Sequence, residues 1–180
     1  MANNTPNPMQ KPRLDKVTLN IGAGTGGEKL QNAKTLLERV SGGVAVITHA
    51  HDRAPEWGVR KGDAIGVKIT LRGAKALHVL KNSLQVVENT ISPRSFDKSG
   101  NFAFGVKEYI DYPGLKYDPK IGMMGFDCAV TLSKPGARVS RRKISPKKLP
   151  MKQRVSRDEA MEWAKETLGI KIEEPVAEYA

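Results

Sequence analysis

The sequence contains one cysteine, Cys128, few aromatic residues and no long hydrophobic run in its 180 residues. A single cysteine excludes an internal disulfide framework and any zinc site built from several cysteines. No stretch approaches the roughly 18 apolar residues of a membrane span. The opening residues, MANNTPNPMQKPR, lack the apolar centre of a signal peptide. We therefore expect a soluble, cytoplasmic protein.

Acidic residues are absent from residues 128–157, which carry ten Lys or Arg side chains. The whole chain has 30 basic and 19 acidic residues, a net charge of +11, and seven of the acids lie in residues 158–180. Such an excess predicts a polyanionic partner, with nucleic acid ahead of an anionic membrane surface. Hydrophobic residues make up 39% of the chain, enough for a packed core.

The hydrophobic pattern predicts a mixture of strands and helices. Five segments show the composition or alternation typical of strands, namely residues 16–21, 44–48, 65–72, 102–106 and 126–132. Apolar stripes predict helices over residues 28–40 and 74–89. The stripe of the second helix consists of Leu77, Leu80, Leu84 and Val87. Ser156 and Glu159 form a capping-box pattern, which predicts a third helix over residues 157–168.

This order of elements predicts an α+β fold. It is a two-layer sandwich, with a split βαβ, ferredoxin-like sheet that has helices on one face and an open second face. We divide the chain into a flexible N-terminal segment (residues 1–13), an α/β RNA-binding domain (14–133), a basic arm (134–155) and a C-terminal helix with an acidic tail (156–180).

The open face is predicted to carry polar and cationic side chains, almost without carboxylates. Its members alternate with buried residues and are Lys16, Thr18, Asn20, Lys68, Thr70 and Arg72. A face of this kind suits an RNA platform, although Thr and Lys are also common on an ordinary solvated sheet.

The basic arm is rich in Pro and Ser as well as in cations, which argues against a packed helix. We expect it to be extended and to become ordered against phosphates. The candidate RNA contacts in it are Arg138, Arg141, Arg142, Lys143, Lys147 and Lys148. A solvated charge run or a localisation signal is the alternative interpretation.

A second basic segment is the loop HAHDRAPEWGVRKGD, residues 49–63. Trp57 lies in a polar, Gly- and Pro-containing stretch, where an aromatic ring can stack on a base or ribose. In the alternative interpretation, Trp57 folds back and anchors its own loop.

Two further motifs favour other classes of function only weakly. The turn at residues 22–27, GAGTGG, matches G-x-G-x-x-G between a strand and a helix. It lacks the acidic residue about 20 positions later and the repeated βαβ units of a dinucleotide site, and Glu28 stands where a P-loop has Lys. His49, His51 and Asp52 form an H-x-H-D run without further suitably spaced ligands. We predict no metal site, no cofactor and no catalytic residues.

Longer phrases resemble one family, the universal large-subunit ribosomal protein numbered five, which binds 5S ribosomal RNA. They are VTLNIGAG (17–24), VITHA (46–50), VRKG (59–62), IGVKITLRG (65–73) and ISPRSFDKSGNFAFGVKEYIDYPGLKYD (91–118). GMMGFDCAVTLSKPGARVSRRK (122–143) is similar to the archaeal and eukaryotic version. The resemblance extends over about residues 13–170.

The resemblance implies a structural, non-enzymatic protein of the ribosome that holds 5S RNA at the central protuberance. The residues that correspond to the 5S-docking surface are Asn20, Thr48, Lys68, Thr70 and Arg72. The family's loop to the peptidyl-site tRNA corresponds here to His51, Arg53, Trp57, Arg60 and Lys61, and its sequence departs from the bacterial pattern. The implied partners are 5S and large-subunit rRNA, this tRNA and a small-subunit head protein, without a membrane or a small-molecule substrate. A nucleotide-binding enzyme using the glycine turn, or a free basic RNA-binding module, is the alternative.

Overall fold

The computed structural model of the chain describes residues 7–24 and 26–173. Its strands are β1 (Arg13–Gly22), β2 (Val46–His49), β3 (Ala64–Leu71), β4 (Thr90–Ile91), β5 (Phe102–Val106), β6 (Phe126–Ser133) and β7 (Lys171–Ile172). Its α-helices are α1 (Glu28–Ser41), α2 (Gly73–Val86) and α3 (Arg157–Leu168). The first half of the predicted N-terminal segment and the last seven residues of the predicted acidic tail lie outside the described residues.

Five strands form one antiparallel sheet in the order β2-β3-β1-β6-β5. Because β3 lies between β1 and β2 and is antiparallel to both, those two strands are parallel to each other, and α1 connects them. This is the split βαβ arrangement, and the predicted α+β class is confirmed. Within the described residues, no helix has the length and apolar character required to cross a membrane.

The core lies between one face of the sheet and the helices. Val17, Leu19 and Ile21 of β1 are buried at 0–4% exposure, as the alternation predicts. Leu36 and Leu37 of α1 are fully buried in the same cluster. A strand that buries every second residue leaves the residues in between on its other face. The packing of α1 and α2 on the sheet therefore leaves the opposite face open.

The predicted stripe of α2 is partly wrong. Leu77 is 36% exposed, and the buried positions are Ala76, Val79, Leu80, Ser83 and Leu84. The helix also ends at Val86, so Val87 is its C-terminal cap, and Glu88 and Asn89 follow with left-handed backbone φ angles of 53° and 55°. Ala76 and Ser83 of α2 face the core. Because both side chains are small, the helix can approach the sheet closely at these positions. A prediction that counts only large apolar residues misses these two positions, and it therefore places the buried side of α2 incorrectly.

The capping box at the start of α3 is confirmed. The Glu159 amide donates to Ser156 Oγ at 3.3 Å, and the Ser156 amide donates to Glu159 Oε2 at 3.1 Å. Ala160 and Ala164 of α3 belong to the main buried cluster, while Trp163 is only partly buried. After the helix, β7 pairs with β4 in parallel. The chain after the basic segment is thus part of the domain.

The basic segment, residues 134–155, is a closed loop and not the extended arm that its composition suggests. Lys134 at its start is 5% exposed, and its Nζ lies 2.8 Å from Glu159 Oε1. Gln153 near its end donates to the Pro135 carbonyl at 2.7 Å, which joins the two ends. Val155 is buried in the core. Charge and proline content do not reveal these anchoring contacts, so the segment's path differs from the prediction.

The Lys134–Glu159 pair gives the first testable prediction. Lys134→Ala should lower the free energy of unfolding by about 1–3 kcal/mol, because it removes a charge-assisted hydrogen bond between a buried lysine and a partly exposed carboxylate. Urea denaturation monitored by circular dichroism measures this. The matched control is Lys152→Ala, a change at an exposed position of the same loop that should stay within about 0.5 kcal/mol of the parent. Equal stability of the two variants would contradict an anchoring role.

Candidate nucleic-acid interface

The open face of the sheet brings the predicted residues of β1 and β3 together. Thr18 lies opposite Thr70 on one side and Ala129 on the other. In the next row, Asn20 lies opposite Lys68 and Asp127. Directly opposed residues of antiparallel strands have Cβ atoms about 5 Å apart. The polar side chains therefore form one continuous surface across the middle of the sheet.

Thr48 joins this surface from the edge strand β2, where it lies opposite Gly66 of β3. A side chain at Gly66 would have its Cβ at 2.9 Å from both the Ile21 carbonyl oxygen and Thr48 Oγ1. Glycine is needed at this point because the two neighbouring strands fill the space.

The face combines short side chains with cations, one of which, Lys16, lies on the central strand β1. Thr18 and Ala129 occupy the central strands, whereas Lys68, Thr70 and Arg72 are exposed along or beside β3. Short hydroxyl and amide groups both donate and accept hydrogen bonds, and Lys and Arg supply positive charge. A flat, hydrogen-bonding and cationic surface suits the sugar–phosphate backbone and the base edges of RNA.

Arg72 is held by an acidic residue that the sequence interpretation overlooked. Its guanidinium pairs with Asp15 Oδ1 and also donates to the Asp15 backbone carbonyl at 3.1 Å. Arg141 of the basic loop binds the other carboxylate oxygen, Oδ2, at 3.0 Å. Asp15 therefore connects the open face to the basic loop.

The environment of Asp15 keeps its carboxylate charged. Partial burial alone would raise its pKa, but the hydrogen bonds from Arg141 and Arg72 outweigh that effect and lower the pKa below the usual 3.8. The ion pairs of Asp15 with Arg72 and Arg141 therefore stabilise the fold fully above the ordinary pKa of 3.8. This stabilisation is lost as the pH falls through the lowered pKa of the folded protein. At neutral pH the Asp15 carboxylate is therefore ionised where it meets the two guanidinium groups.

The loop that contains Trp57 is a small hairpin beyond the ends of β2 and β3. Ala54 and Val59 exchange backbone hydrogen bonds of 3.0 and 3.1 Å, and a short 3-10 turn (Pro55–Trp57) forms its tip. Trp57 is 81% exposed. The alternative that this ring folds back to anchor its own loop is therefore wrong, because the backbone hydrogen bonds hold the hairpin together without it.

The cations of this hairpin also point outward. Arg53, Arg60 and Lys61 are exposed, and His51 lies 3.3 Å from Asp52 at the surface. At the base, the Arg60 amide donates to Asp63 Oδ2 at 2.8 Å. The hairpin thus presents an aromatic ring and several cations on a backbone that is fixed at its base.

The basic loop presents most of its predicted contacts to solvent. Those with exposed side chains are Arg138, Arg141, Arg142, Lys143, Lys147 and Lys148. Internal hydrogen bonds shape the tip: Arg142 Nε donates to the Ser145 carbonyl at 2.8 Å, and the Lys147 amide to the Val139 carbonyl at 3.2 Å. Lys134, which we counted among the arm's cations, is buried and unavailable to RNA.

The hairpin and the basic loop lie at opposite ends of the open face. The end of β1 pairs with the start of β3, where the hairpin joins, and the start of β1 pairs with the end of β6, where the basic loop begins. The ten residues of β1 span roughly 30 Å at 3.3 Å per residue. The predicted residues therefore form three patches, a central face and two flanking loops, and Arg141 connects one loop to the face.

The glycine turn does not form a phosphate cradle in the described residues around it. The amides of Ala23 and Gly24 both donate to the Ile65 carbonyl, at 2.9 and 3.0 Å. Gly27 precedes α1 without a side-chain cap. Because these two amides are already hydrogen-bonded to β3, the turn is better explained as a tight connection from strand to helix. Thr25 of the motif lies outside the described residues.

Catalytic chemistry finds little support in the described side chains. Burial raises the pKa of the Cys128 thiol to about 12, so it stays protonated and is a poor nucleophile at neutral pH. His49 Nδ1 lies 3.1 Å from the Gly62 carbonyl, within the base of the hairpin. Across residues 7–24 and 26–173, no three His, Cys, Asp or Glu side chains are grouped as metal ligands would be.

Asp15 could have been found from one irregularity in the sequence. The alternation of β1 begins at Lys16, but the strand starts at Arg13, with a shift of register between Leu14 and Lys16. Asp15 is the extra residue of this bulge. An acid next to a predicted cationic face marks such a position, although its two arginine partners are distant in sequence and only the fold identifies them.

Two family models together match most of the chain. The model described as ribosomal protein L5 matches residues 7–60, and the model described as the C-terminus of the same ribosomal family matches residues 64–163. The first therefore contains β1, α1, β2 and most of the hairpin, and the second contains the rest of the sheet and half of α3.

Curated relatives agree with this match over their full length. The large ribosomal subunit protein uL5 of Methanosphaera stadtmanae is 48% identical over 167 residues, 93% of this chain and 99% of the relative. The proteins of the same name from Nanoarchaeum equitans and Sulfurisphaera tokodaii are also 48% identical, over 92% and 94% of this chain and 98% and 97% of their own.

Proposed function

The chain belongs to the ribosomal protein L5 family, a structural component of the large ribosomal subunit, and from this membership we propose that its open sheet face binds 5S ribosomal RNA. The curated relatives are named as ribosomal proteins, so the chain is not an enzyme, and it assembles with ribosomal RNA. The proposed location is the central protuberance, as the resemblance of IGVKITLRG (65–73) to the family implies.

One observation carries the proposal, the uncovered row of hydrogen-bonding and cationic residues across β1 and β3. Helices cover the other face, and the row opposite them includes Thr18, Asn20, Lys68 and Thr70 in direct register. An exposed polar face alone also fits a solvated sheet. Because the chain belongs to a family of ribosomal proteins, an RNA-binding role for this face is better supported than a solvated sheet.

The hairpin supports a second contact, with the peptidyl-site tRNA. Its exposed Trp57 and neighbouring cations suit stacking and phosphate contacts. The hairpin and the basic loop are separated by about the length of β1. We therefore expect the hairpin to contact a different region of RNA from the basic loop. We include a small-subunit head protein among the proposed partners, without assigning residues to that contact.

The basic loop supports a third contact, with ribosomal RNA beside the sheet face. Residues 141–148 are exposed throughout and carry five cations without an acid. Cations fixed on a closed loop lose less conformational freedom on binding phosphate than those on a free chain. The loop therefore favours a defined rRNA site over a localisation signal or a solvated charge run.

The sheet face is tested by the double substitution Thr70→Ala/Arg72→Ala. It should weaken binding of 5S RNA by about 1.5–3 kcal/mol, because it removes a charge-assisted phosphate contact and a hydroxyl. The matched control, Thr35→Ala/Arg39→Ala, makes the same changes on α1, in the helical layer, and should bind like the parent. Filter-binding titrations at fixed salt measure both. Unchanged affinity of the Thr70/Arg72 variant would show that the face is wrongly assigned.

The hairpin is tested by Trp57→Ala in assembled ribosomes. Binding of 5S RNA should stay intact, since the hairpin lies beyond the face, whereas chemical footprints on the peptidyl-site tRNA should change near its elbow. Tyr117→Ala removes another exposed aromatic ring, outside the hairpin, and should alter neither. Loss of 5S binding with unaltered tRNA footprints would instead place the hairpin in the 5S interface.

The basic loop is tested by the salt dependence of RNA binding. Four exposed cations without an acidic partner among the described residues are changed to Gln, namely Arg142, Lys143, Lys147 and Lys148. If all four meet phosphates, the slope of log affinity against log salt should flatten by about 3, since each contact contributes roughly 0.7–0.9.

The control for this experiment removes the same charge from other exposed positions. These are Lys75, Lys81, Lys116 and Lys120, which lie on α2 and in the segment between β5 and β6. Changing them to Gln should leave the slope nearly unchanged. A similar flattening in both variants would mean that net charge, and not the basic loop, controls RNA binding, as the free basic module predicts.

A further inference from the structure

Asp15 occupies an unusual position for an acid on an RNA-binding protein. Its side chain is 17% exposed and lies where the open face meets the basic loop. Each of its two carboxylate oxygens accepts from a different arginine, Arg72 on Oδ1 and Arg141 on Oδ2. These arginines are 57 and 126 residues away from Asp15 in the sequence. The contact therefore depends on the tertiary fold.

The two guanidinium groups remain available to a ligand on their outer sides. The Arg72 and Arg141 side chains are 56% and 58% exposed, far more than the Asp15 side chain between them. A guanidinium has five N–H donors in a planar fork, and the contacts to Asp15 use one nitrogen, Nη1, of each arginine. Because each group is bonded to one of the two oxygens of the same carboxylate, the two guanidinium groups lie beside one another.

We propose that Asp15 is a positioning residue that holds Arg72 and Arg141 together as a binding site for one phosphodiester group of RNA. This inference rests on the proposed function of the open face and adds a defined site at its edge. The site would connect the two RNA-binding regions, because Arg72 follows β3 and Arg141 belongs to the basic loop.

A carboxylate at this place can act in two opposite ways. It can repel the RNA and compete with it for the arginines, or it can fix two long side chains that would otherwise repel each other and sample many rotamers. The low exposure of Asp15 favours fixing: the carboxylate lies beneath the guanidinium groups, and the phosphate approaches from outside. Arginine bound on one side by an acid retains the forked geometry that phosphate recognition requires.

The experiment compares Asp15→Asn with the parent in 5S RNA titrations. The amide keeps the shape of the side chain and removes its charge, so simple electrostatics predicts tighter binding of the anionic RNA. We expect the opposite: affinity lower by about 3- to 10-fold. The salt slope should flatten by about 0.7–0.9, the equivalent of one phosphate contact. The control is Asp111→Asn, which removes an exposed acid in the segment between β5 and β6, outside the face, and should not weaken binding.

A double-mutant cycle separates positioning from a merely structural effect. In the Arg72→Ala/Arg141→Ala background, Asp15→Asn should cause no further loss of affinity, because the residue acts only through those arginines. The two single arginine variants should also be non-additive, each losing most of what the pair loses. This second measurement decides the question even if Asp15→Asn folds poorly, which a thermal melt would show.

Each outcome has one meaning. Unchanged or tighter binding by folded Asp15→Asn overturns the positioning role, as does full additivity of the two arginine variants. Failure of the parent itself to bind 5S RNA would overturn the proposed function of the face, and is a different result. Equally weaker binding by Asp15→Asn and Asp111→Asn would point to a general loss of structure and would also overturn the proposal.

Discussion

The antiparallel pairing of β1 between β3 and β6 is the constraint on which the rest of the structure depends. It fixes which residues of the central strand are buried: Val17 and Leu19 are fully enclosed, and Thr18 and Asn20 face outward. A slip by one residue would exchange the two sets. The slip is prevented because it would expose the apolar residues to water, so the hydrophobic core determines which residues form the open polar face without contributing an atom to it.

The same strand also sets the distance between the two basic loops. The hairpin and the basic loop are attached near its opposite ends, and their bases are held by hydrogen bonds, at Ala54–Val59 and at Gln153–Pro135. Repulsion between cations would open such loops if charge alone governed them. The backbone hydrogen bonds of the hairpin, and the Gln153 side-chain bond and buried Val155 of the basic loop, resist that opening. The fold therefore holds several cations at fixed positions that a free polycation would leave variable.

Sequence patterns predicted the sheet well because alternation has a direct physical cause: a half-buried strand must place apolar residues on one side. The predicted stripe of α2 was partly wrong, since Ala76 and Ser83 face the core although neither is strongly hydrophobic. The basic segment was assigned as extended from its charge, but its path depends on Lys134 and Gln153, whose partners only the tertiary structure identifies. Asp15 was missed for the same reason. Local rules describe elements, and contacts between distant segments require the fold.

In each basic region of the described surface, a carboxylate accepts a hydrogen bond at the base of the region. Asp15 binds Arg72 and Arg141 beside the face, Asp63 accepts the Arg60 amide under the hairpin, and Glu159 holds Lys134 at the start of the basic loop. Partial burial raises the pKa of Glu159, but the hydrogen bonds from Lys134 and the Ser156 amide, together with the charge of Lys134, outweigh it and lower the pKa, so this anchor is charged at neutral pH. Acids in these positions reduce the net charge only slightly. They determine where the cations stand, and a fixed arrangement of cations can distinguish one folded RNA from another, whereas total charge cannot.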